Sequence, residues 1–197
     1  MSTLTTPRLS VDYLKAKFDG AQDYATYVAR GNDKQRAAWA EIYERASLTS
    51  DQQALVGGFT RQMHVLAVSG VWCGDCVQQM PFLQRIAEAN SATLHFRLAD
   101  RDEHMDLAQQ VQINQGARVP VVLFMAEDFE LVSVFGDRTL SRYRAIAARQ
   151  LGASCPIPGA PLAEDELRAG LQDWLNEVER NQLLLRLSAR LRGKHSD

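Results

Sequence analysis

Trp72-Cys73-Gly74-Asp75-Cys76 stands where an apolar run ends and a helical pattern begins. The run ahead of it, His64-Val65-Leu66-Ala67-Val68, reads as a short buried strand. Behind it Val77, Met80, Leu83, Ile86 and Ala87 recur at helical spacing as far as Ala89. Two cysteines separated by two residues at a strand-to-helix junction are the expected form of a dithiol/disulfide redox pair.

Working outward, strand and helix patterns alternate. Thr93 to Leu98 reads as a second strand and the region Glu103 to Gln110 as a short helix. Val119 to Met125 and Leu131 to Phe135 read as two strands joined by the turn Ala126 to Glu130, a hairpin spacing. A helix from Leu140 to Gln150 follows Gly136-Asp137. The order β-α-β-α-β-β-α predicts an α/β fold: a parallel crossover, then an antiparallel hairpin, in a mixed sheet flanked by helices.

The flanks read as helical. Before the sheet, Leu14 and Phe18, then Tyr24, Tyr27 and Val28, then Trp39, Ile42 and Tyr43 fall at helical spacing. Ser50 with Gln53 reads as a capping box for a last helix ended by Gly57-Gly58. Beyond the sheet, Ala153 to Pro161 carries three prolines and Cys155 and reads as a linker. Ala163 to Leu191 then reads as one long helix or two joined ones, with Leu167, Leu171, Trp174, Leu175, Val178, Leu185 and Leu187 as an apolar stripe. The expected divisions are 1–60 as a helical N-terminal extension packed on the core, 61–152 as the α/β domain, and 153–197 as a loop and C-terminal helix. That last helix is a candidate surface for a homodimer.

Bulk composition is that of a soluble globular chain: 197 residues, 46% hydrophobic and 23% charged. A net charge of -2 gives no reason to expect nucleic acid as a partner. No apolar run reaches the ~18 residues of a membrane span, and the polar Met1 to Ser10 lacks a secretory pattern. Three cysteines, an odd number, argue against a disulfide framework and for the cytoplasm, where thiols stay reduced.

Residues 63–150 resemble a thioredoxin-fold domain. The resemblance rests on Trp72 to Cys76, on Pro81 five residues after the second cysteine, on Arg118-Val119-Pro120 before the hairpin, and on Gly136 at its end. Within that superfamily the chain looks more like poorly characterised bacterial proteins with a helical N-terminal extension than like thioredoxin itself. The resemblance implies a thiol–disulfide oxidoreductase in which Cys73 attacks and Cys76 resolves, with no cofactor. It implies a cis Val119-Pro120 bond beside the thiols, and a substrate surface made by Trp72, Gly74, Asp75, Val119 and Pro120. Pro81 and Gly136 would be structural. The partners would be a disulfide-containing protein or small thiol, and an electron donor that the sequence does not identify.

The match departs from the family in two places. Typical members carry a buried aspartate six residues before the first cysteine, and here that position is Ala67. Proton transfer at Cys76 would then use water or another group. Asp75 replaces the proline common between the cysteines. It is expected to point to solvent and to oppose thiolate formation. Two other readings stay open. A zinc site would need Cys155 and one of His64, His95, His104 or His195 to join the pair through tertiary contact. A binding module would use the groove at Pro120 with little turnover. Cys155 reads as a bystander or as a third redox thiol.

Overall fold

The computed structural model describes residues 9–151 and 165–197. Cys155, its proline-rich linker and the helix start expected at Ala163 lie outside them.

Strand β1 (Met63–Ser69) pairs in parallel with β2 (Leu94–Asp100) and antiparallel with β3 (Val121–Ala126). Strand β4 (Leu131–Gly136) pairs antiparallel with β3, so the order across the sheet is β2-β1-β3-β4. Helix α5 (Gly74–Ala89) makes the crossover from β1 to β2. Helix α6 (Met105–Gln110) leads towards β3, and α7 (Leu140–Leu151) follows β4, which completes the expected β-α-β-α-β-β-α order. Every residue of β3 is buried and all of β1 except His64. Central strands covered on both faces need continuous apolar runs rather than alternation, and Val65 to Val68 and Val121 to Ala126 supply them.

The covering layers come from the flanks. Helices α1 (Val11–Gly20) and α2 (Tyr24–Ala29) pack on β2, and α3 (Asp33–Arg45) and α4 (Ser50–Gly57) pack on α5. Gln22 adds an antiparallel bridge to the β2 edge at Leu98. Beyond the sheet, α8 (Glu166–Leu187) packs on α5, α7 and β4, and α9 (Ala189–His195) folds back on α8. Leu14, Tyr27 and Trp39 from the front and Trp174, Leu175 and Val178 from the back join the strands in one apolar cluster. The helical extensions therefore share the core of the sheet.

Gly170 shows how closely α8 approaches. A Cβ there would stand 3.0 Å from the Phe82 ring of α5. The C-terminal stripe is thus covered by the chain itself at Leu171, Trp174, Leu175, Val178 and Leu185. Leu187 does not belong to it. It is 75% exposed, because α8 ends there and Ser188 caps α9 in extended conformation. The expected capping box at Ser50 and Gln53 is also displaced by one residue. Thr49 is the N-cap of α4 and exchanges hydrogen bonds with Gln52, because only a residue with extended backbone turns its side chain back to the third N–H. The arginine-rich end of the chain meets acids: Arg186 pairs with Asp197, Arg190 with Asp128 and Lys194 with Glu127. Among the described residues no helix is long and apolar enough to cross a membrane.

Candidate active site

Cys73 is the N-cap of α5, with extended backbone at φ -84° and ψ 121°. Its side chain makes no capping bond, so the first amide groups of the helix remain available to a ligand or to a charge. Two of them, those of Cys76 and Asp75, act on the Cys73 sulfur. One turn on, Cys76 is fully buried. Its sulfur accepts the Gly70 N–H at 3.5 Å.

This geometry gives the two thiols opposite characters. The Cys73 thiol is brought down to about 6, chiefly by a hydrogen bond from Cys76. Burial works the other way, the backbone amides of Cys76 and Asp75 assist, and the Asp75 charge opposes. The Cys76 thiol is pushed well up, first by burial and then by its bond to Cys73 and the charge there. The arrangement thus favours the charged form on Cys73 and the protonated form on Cys76. Both thiols are free in this structure.

The loop before β3 closes over the pair. The Val119–Pro120 peptide bond is cis, and the Val119 carbonyl lies 3.5 Å from Cys73 Sγ, where it accepts from the thiol while Cys73 is protonated. Gly136 stands beside this loop, opposite Val121 in the β3–β4 ladder. A Cβ at Gly136 would lie 2.8 Å from the Pro120 carbonyl oxygen, so only glycine lets β4 pass there. Pro81 is buried inside α5, four residues beyond Val77, where it removes the amide that would have bonded the Val77 carbonyl. Trp72 is 47% exposed on the rim, with the Arg101 guanidinium 4.6 Å from its ring centre. A Cβ on Gly74 would meet nothing within 4 Å, which leaves the approach to Cys73 open. Cys73, Cys76, Val119 and Pro120 thus come together, with Trp72 and Gly74 at the entrance. Pro81 and Gly136 support them from α5 and β4.

Asp75 departs from the sequence expectation. Its side chain does not point to solvent and is only 15% exposed. Arg138 reaches it at 2.6 Å and Arg142 at 3.1 Å. Arg138 lies in the loop between β4 and α7 and Arg142 in the first turn of α7, so both reach the first turn of α5. Arg142 also bonds Glu166 at the start of α8, at 2.7 Å. Asp137 anchors the same region from 3% exposure, bonded by Tyr143 and by Arg118. Burial works to raise its carboxyl, but those two hydrogen bonds outweigh it and hold the group below the ordinary range. Gln79 of α5 ties in through the Asp137 carbonyl at 3.1 Å and the Thr139 N–H at 3.2 Å. Sequence reasoning missed this network. Its signal was an acid within the motif and two arginines at helical spacing after the hairpin.

The arginines offset the repulsion that Asp75 exerts on a Cys73 thiolate. Replacing both Arg138 and Arg142 with alanine is expected to raise the Cys73 titration by about one unit. The pH dependence of iodoacetamide alkylation reads this shift directly, and an unmoved midpoint would show that the pair does not screen the site.

Ala67 lies in β1 between Leu98 and Val122, fully buried, so no carboxylate occupies the strand beneath Cys76. Among the described residues no three His, Cys, Asp or Glu side chains converge as metal ligands. His64 and His95 stack on each other at 5.2 Å on neighbouring strands, and His195 pairs with Glu127. A concavity of about 920 Å³ opens between α2, α3 and the β2 edge and includes neither cysteine.

A family model described as thioredoxin matches residues 21–148, a span that takes in α2 to α4 as well as the sheet. The chain is 27% identical over 109 residues to Thioredoxin-2 of Saccharomyces cerevisiae, an alignment covering 55% of this chain and 91% of that protein. Among solved structures, a protein of unknown function from Pseudomonas aeruginosa superposes with a TM-score of 0.66 at 22% identity, over 87% of this chain and 98% of the other. An HIV epitope scaffold gives 0.65 at 20% identity, over 84% and 97%. At these identities the superpositions speak for the fold alone.

Proposed function

Because the chain belongs to the thioredoxin family, we propose that it is a thiol–disulfide oxidoreductase working through Cys73 and Cys76. The observation that carries this reading is the asymmetry of the pair: a half-buried Cys73 thiol lowered to about 6 beside a fully buried, protonated Cys76. A thiolate is the attacking species in disulfide exchange, and a second thiol is needed to release the product.

The Cys73 thiolate attacks a substrate disulfide. A Cys73–substrate S–S bond forms, the substrate S–S bond breaks, and the departing sulfur leaves as a thiolate that takes a proton. Cys76 then attacks Cys73. The Cys73–Cys76 bond forms, the second substrate sulfur leaves with the electron pair, and the Cys76 proton ends on that sulfur. The substrate gains two electrons and two protons, and the dithiol becomes a disulfide. A separate thiol donor of unassigned identity returns it to the reduced form. The substrate is a disulfide in a protein or a small thiol compound, received at Trp72, Gly74, Val119 and Pro120. Asp75 is turned towards Arg138 and Arg142 and is not part of that surface. Cytoplasmic operation belongs to the same reading, since three cysteines are few for an oxidising compartment.

Cys76→Ser provides the test. It leaves the first attack intact and removes the resolving thiol. A protein mixed with a small aromatic disulfide is expected to accumulate a covalent adduct at Cys73, seen by mass spectrometry, whereas the wild type releases two thiols per disulfide. An unmodified Cys73 after prolonged exposure would rule out the redox reading and leave a binding module built on the Pro120 groove.

A further inference from the structure

The buried end of the site contains two hydroxyl groups that the fold alone does not account for. Ser69, the last residue of β1, and Tyr27, from α2, are both fully buried. Neither hydroxyl has a hydrogen-bond partner. Burying a hydroxyl without a partner costs stability, and native interiors contain few such groups. Two adjoining ones next to a reactive sulfur call for a reason.

We propose that Ser69 and Tyr27, with the Gly70 backbone N–H, form a donor cradle for the Cys76 sulfur that does the work of the missing carboxylate at Ala67. This rests on the disulfide-exchange reading above. Ser69 directly precedes Gly70, whose amide meets the Cys76 sulfur. The Ser69 hydroxyl favours a thiolate on Cys76 and also acts on the Tyr27 phenol, which feels the Cys76 charge, so the two hydroxyls and the sulfur are neighbours although no bond joins them at rest. The Gly70 amide already points at the same sulfur from 3.5 Å. In the resting protein Cys76 is a neutral thiol and a weak acceptor, so the hydroxyls have little to bond. As Cys76 loses its proton the sulfur becomes a strong, charged acceptor. Ser69 then donates to Cys76, and Tyr27 donates to Ser69. The cradle stabilises the charge for the moment of attack on Cys73, and the proton ends on the departing substrate sulfur as balanced above.

The surrounding charges leave this task to the hydroxyls. The Asp75 carboxylate is held by Arg138 and Arg142. Burial chiefly raises the Tyr27 phenol, Asp100, which faces Ser69 across the β1–β2 ladder, adds to this, and Arg30, paired with Glu103, acts the other way. Cys73 carries no charge once it is joined to substrate. Tyr27 belongs to the N-terminal helices, and the same helices bond the site loop, since Trp39 of α3 donates to the Val71 carbonyl at 2.9 Å. The extension thereby supplies a positioning residue to the chemistry.

The test uses Ser69→Ala and Tyr27→Phe in two settings. In Cys73→Ser protein, carbon NMR of labelled cysteine follows the Cys76 titration. Loss of a hydrogen bond to a charged group is expected to move it upward, by about tenfold in the thiol equilibrium for Ser69→Ala and severalfold for Tyr27→Phe. In protein with Cys73 intact, single-turnover release of the second substrate thiol slows by similar factors, while the first attack by Cys73 changes less than about twofold. A Cys76 titration unmoved in both variants overturns the proposal, as does equal slowing of both steps. If the wild type forms no mixed disulfide at all, the redox reading falls, and the NMR titration still decides whether the hydroxyls act on Cys76.

Discussion

Cys73→Ser is expected to bring disulfide reduction down to the uncatalysed background, a loss of at least about 10³-fold. Serine preserves the shape of the N-cap and even improves it, because its hydroxyl accepts from the helix amides better than a thiol does. Stability should therefore hold or rise while activity disappears, and that separation distinguishes a chemical role from a structural one. The pH profile is as informative as the loss. With a thiol at about 6, alkylation of wild-type Cys73 should be half-maximal near that pH and flat above neutrality. An ordinary cysteine, with a pKa of about 8.5, would still be climbing there.

The magnitudes show where the lowered pKa matters. At pH 7 a thiol at about 6 is roughly nine-tenths ionised, whereas a free one is a few per cent ionised, a gain of about 30-fold. A less basic sulfur is also a weaker nucleophile, and a Brønsted slope of about 0.45 returns roughly 13-fold of that gain. The net advantage at pH 7 is only about twofold. At pH 6 it is about tenfold, because the free thiol has lost nearly all its thiolate. Comparing the protein with a small free thiol at the two pH values should reveal this widening. A constant ratio would show that Cys73 titrates as an ordinary cysteine.

How much of this was legible in the sequence follows from the range of the interactions. The strand and helix order came from local periodicity, and the elements from β1 to α7 lie where the apolar runs put them, apart from shifts of a residue or two at their ends, while the C-terminal helices run on to His195, past the expected end at Leu191. The opposite burial of Cys73 and Cys76 follows from a two-residue spacing across the first helical turn. The environment of Asp75 does not, because its partners Arg138 and Arg142 lie beyond β4 and meet it only once α7 docks on α5. A carboxylate read as exposed is instead a largely buried, doubly paired member of a network, while its expected opposition to the Cys73 thiolate remains. The same holds for Tyr27. Helical spacing marks it as an inward-facing aromatic, but nothing local says that its ring reaches the region of Cys76. Leu187 failed in the other direction, since a stripe extrapolated along one helix did not foresee the break at Ser188. Pattern fixes which side of an element faces inward, and the fold decides what it meets there.

Trp174→Ala carries the second large effect, on stability. The ring is fully buried and meets Phe135 of β4 edge-on at 5.1 Å. Removing it leaves a cavity under α8 and is expected to cost about 3–5 kcal/mol. For a chain of this size that corresponds to a melting temperature lower by roughly 6–20 °C. Trp174→Phe should cost far less, about 1–2 kcal/mol, because an aromatic ring remains and the indole N–H it removes is buried without a partner. Since one apolar cluster includes α3, the sheet and α8, the loss should appear as one cooperative transition, with circular dichroism and the protection of Cys76 from alkylation falling together. Two separated transitions, with Cys76 still protected after the first, would mean that α8 is an independent appendage. In that case Glu166 could leave Arg142 without disturbing the thiols. A single transition makes the C-terminal helix part of the active-site scaffold, because the Glu166–Arg142–Asp75 chain then persists only as long as Trp174 holds α8 against the sheet.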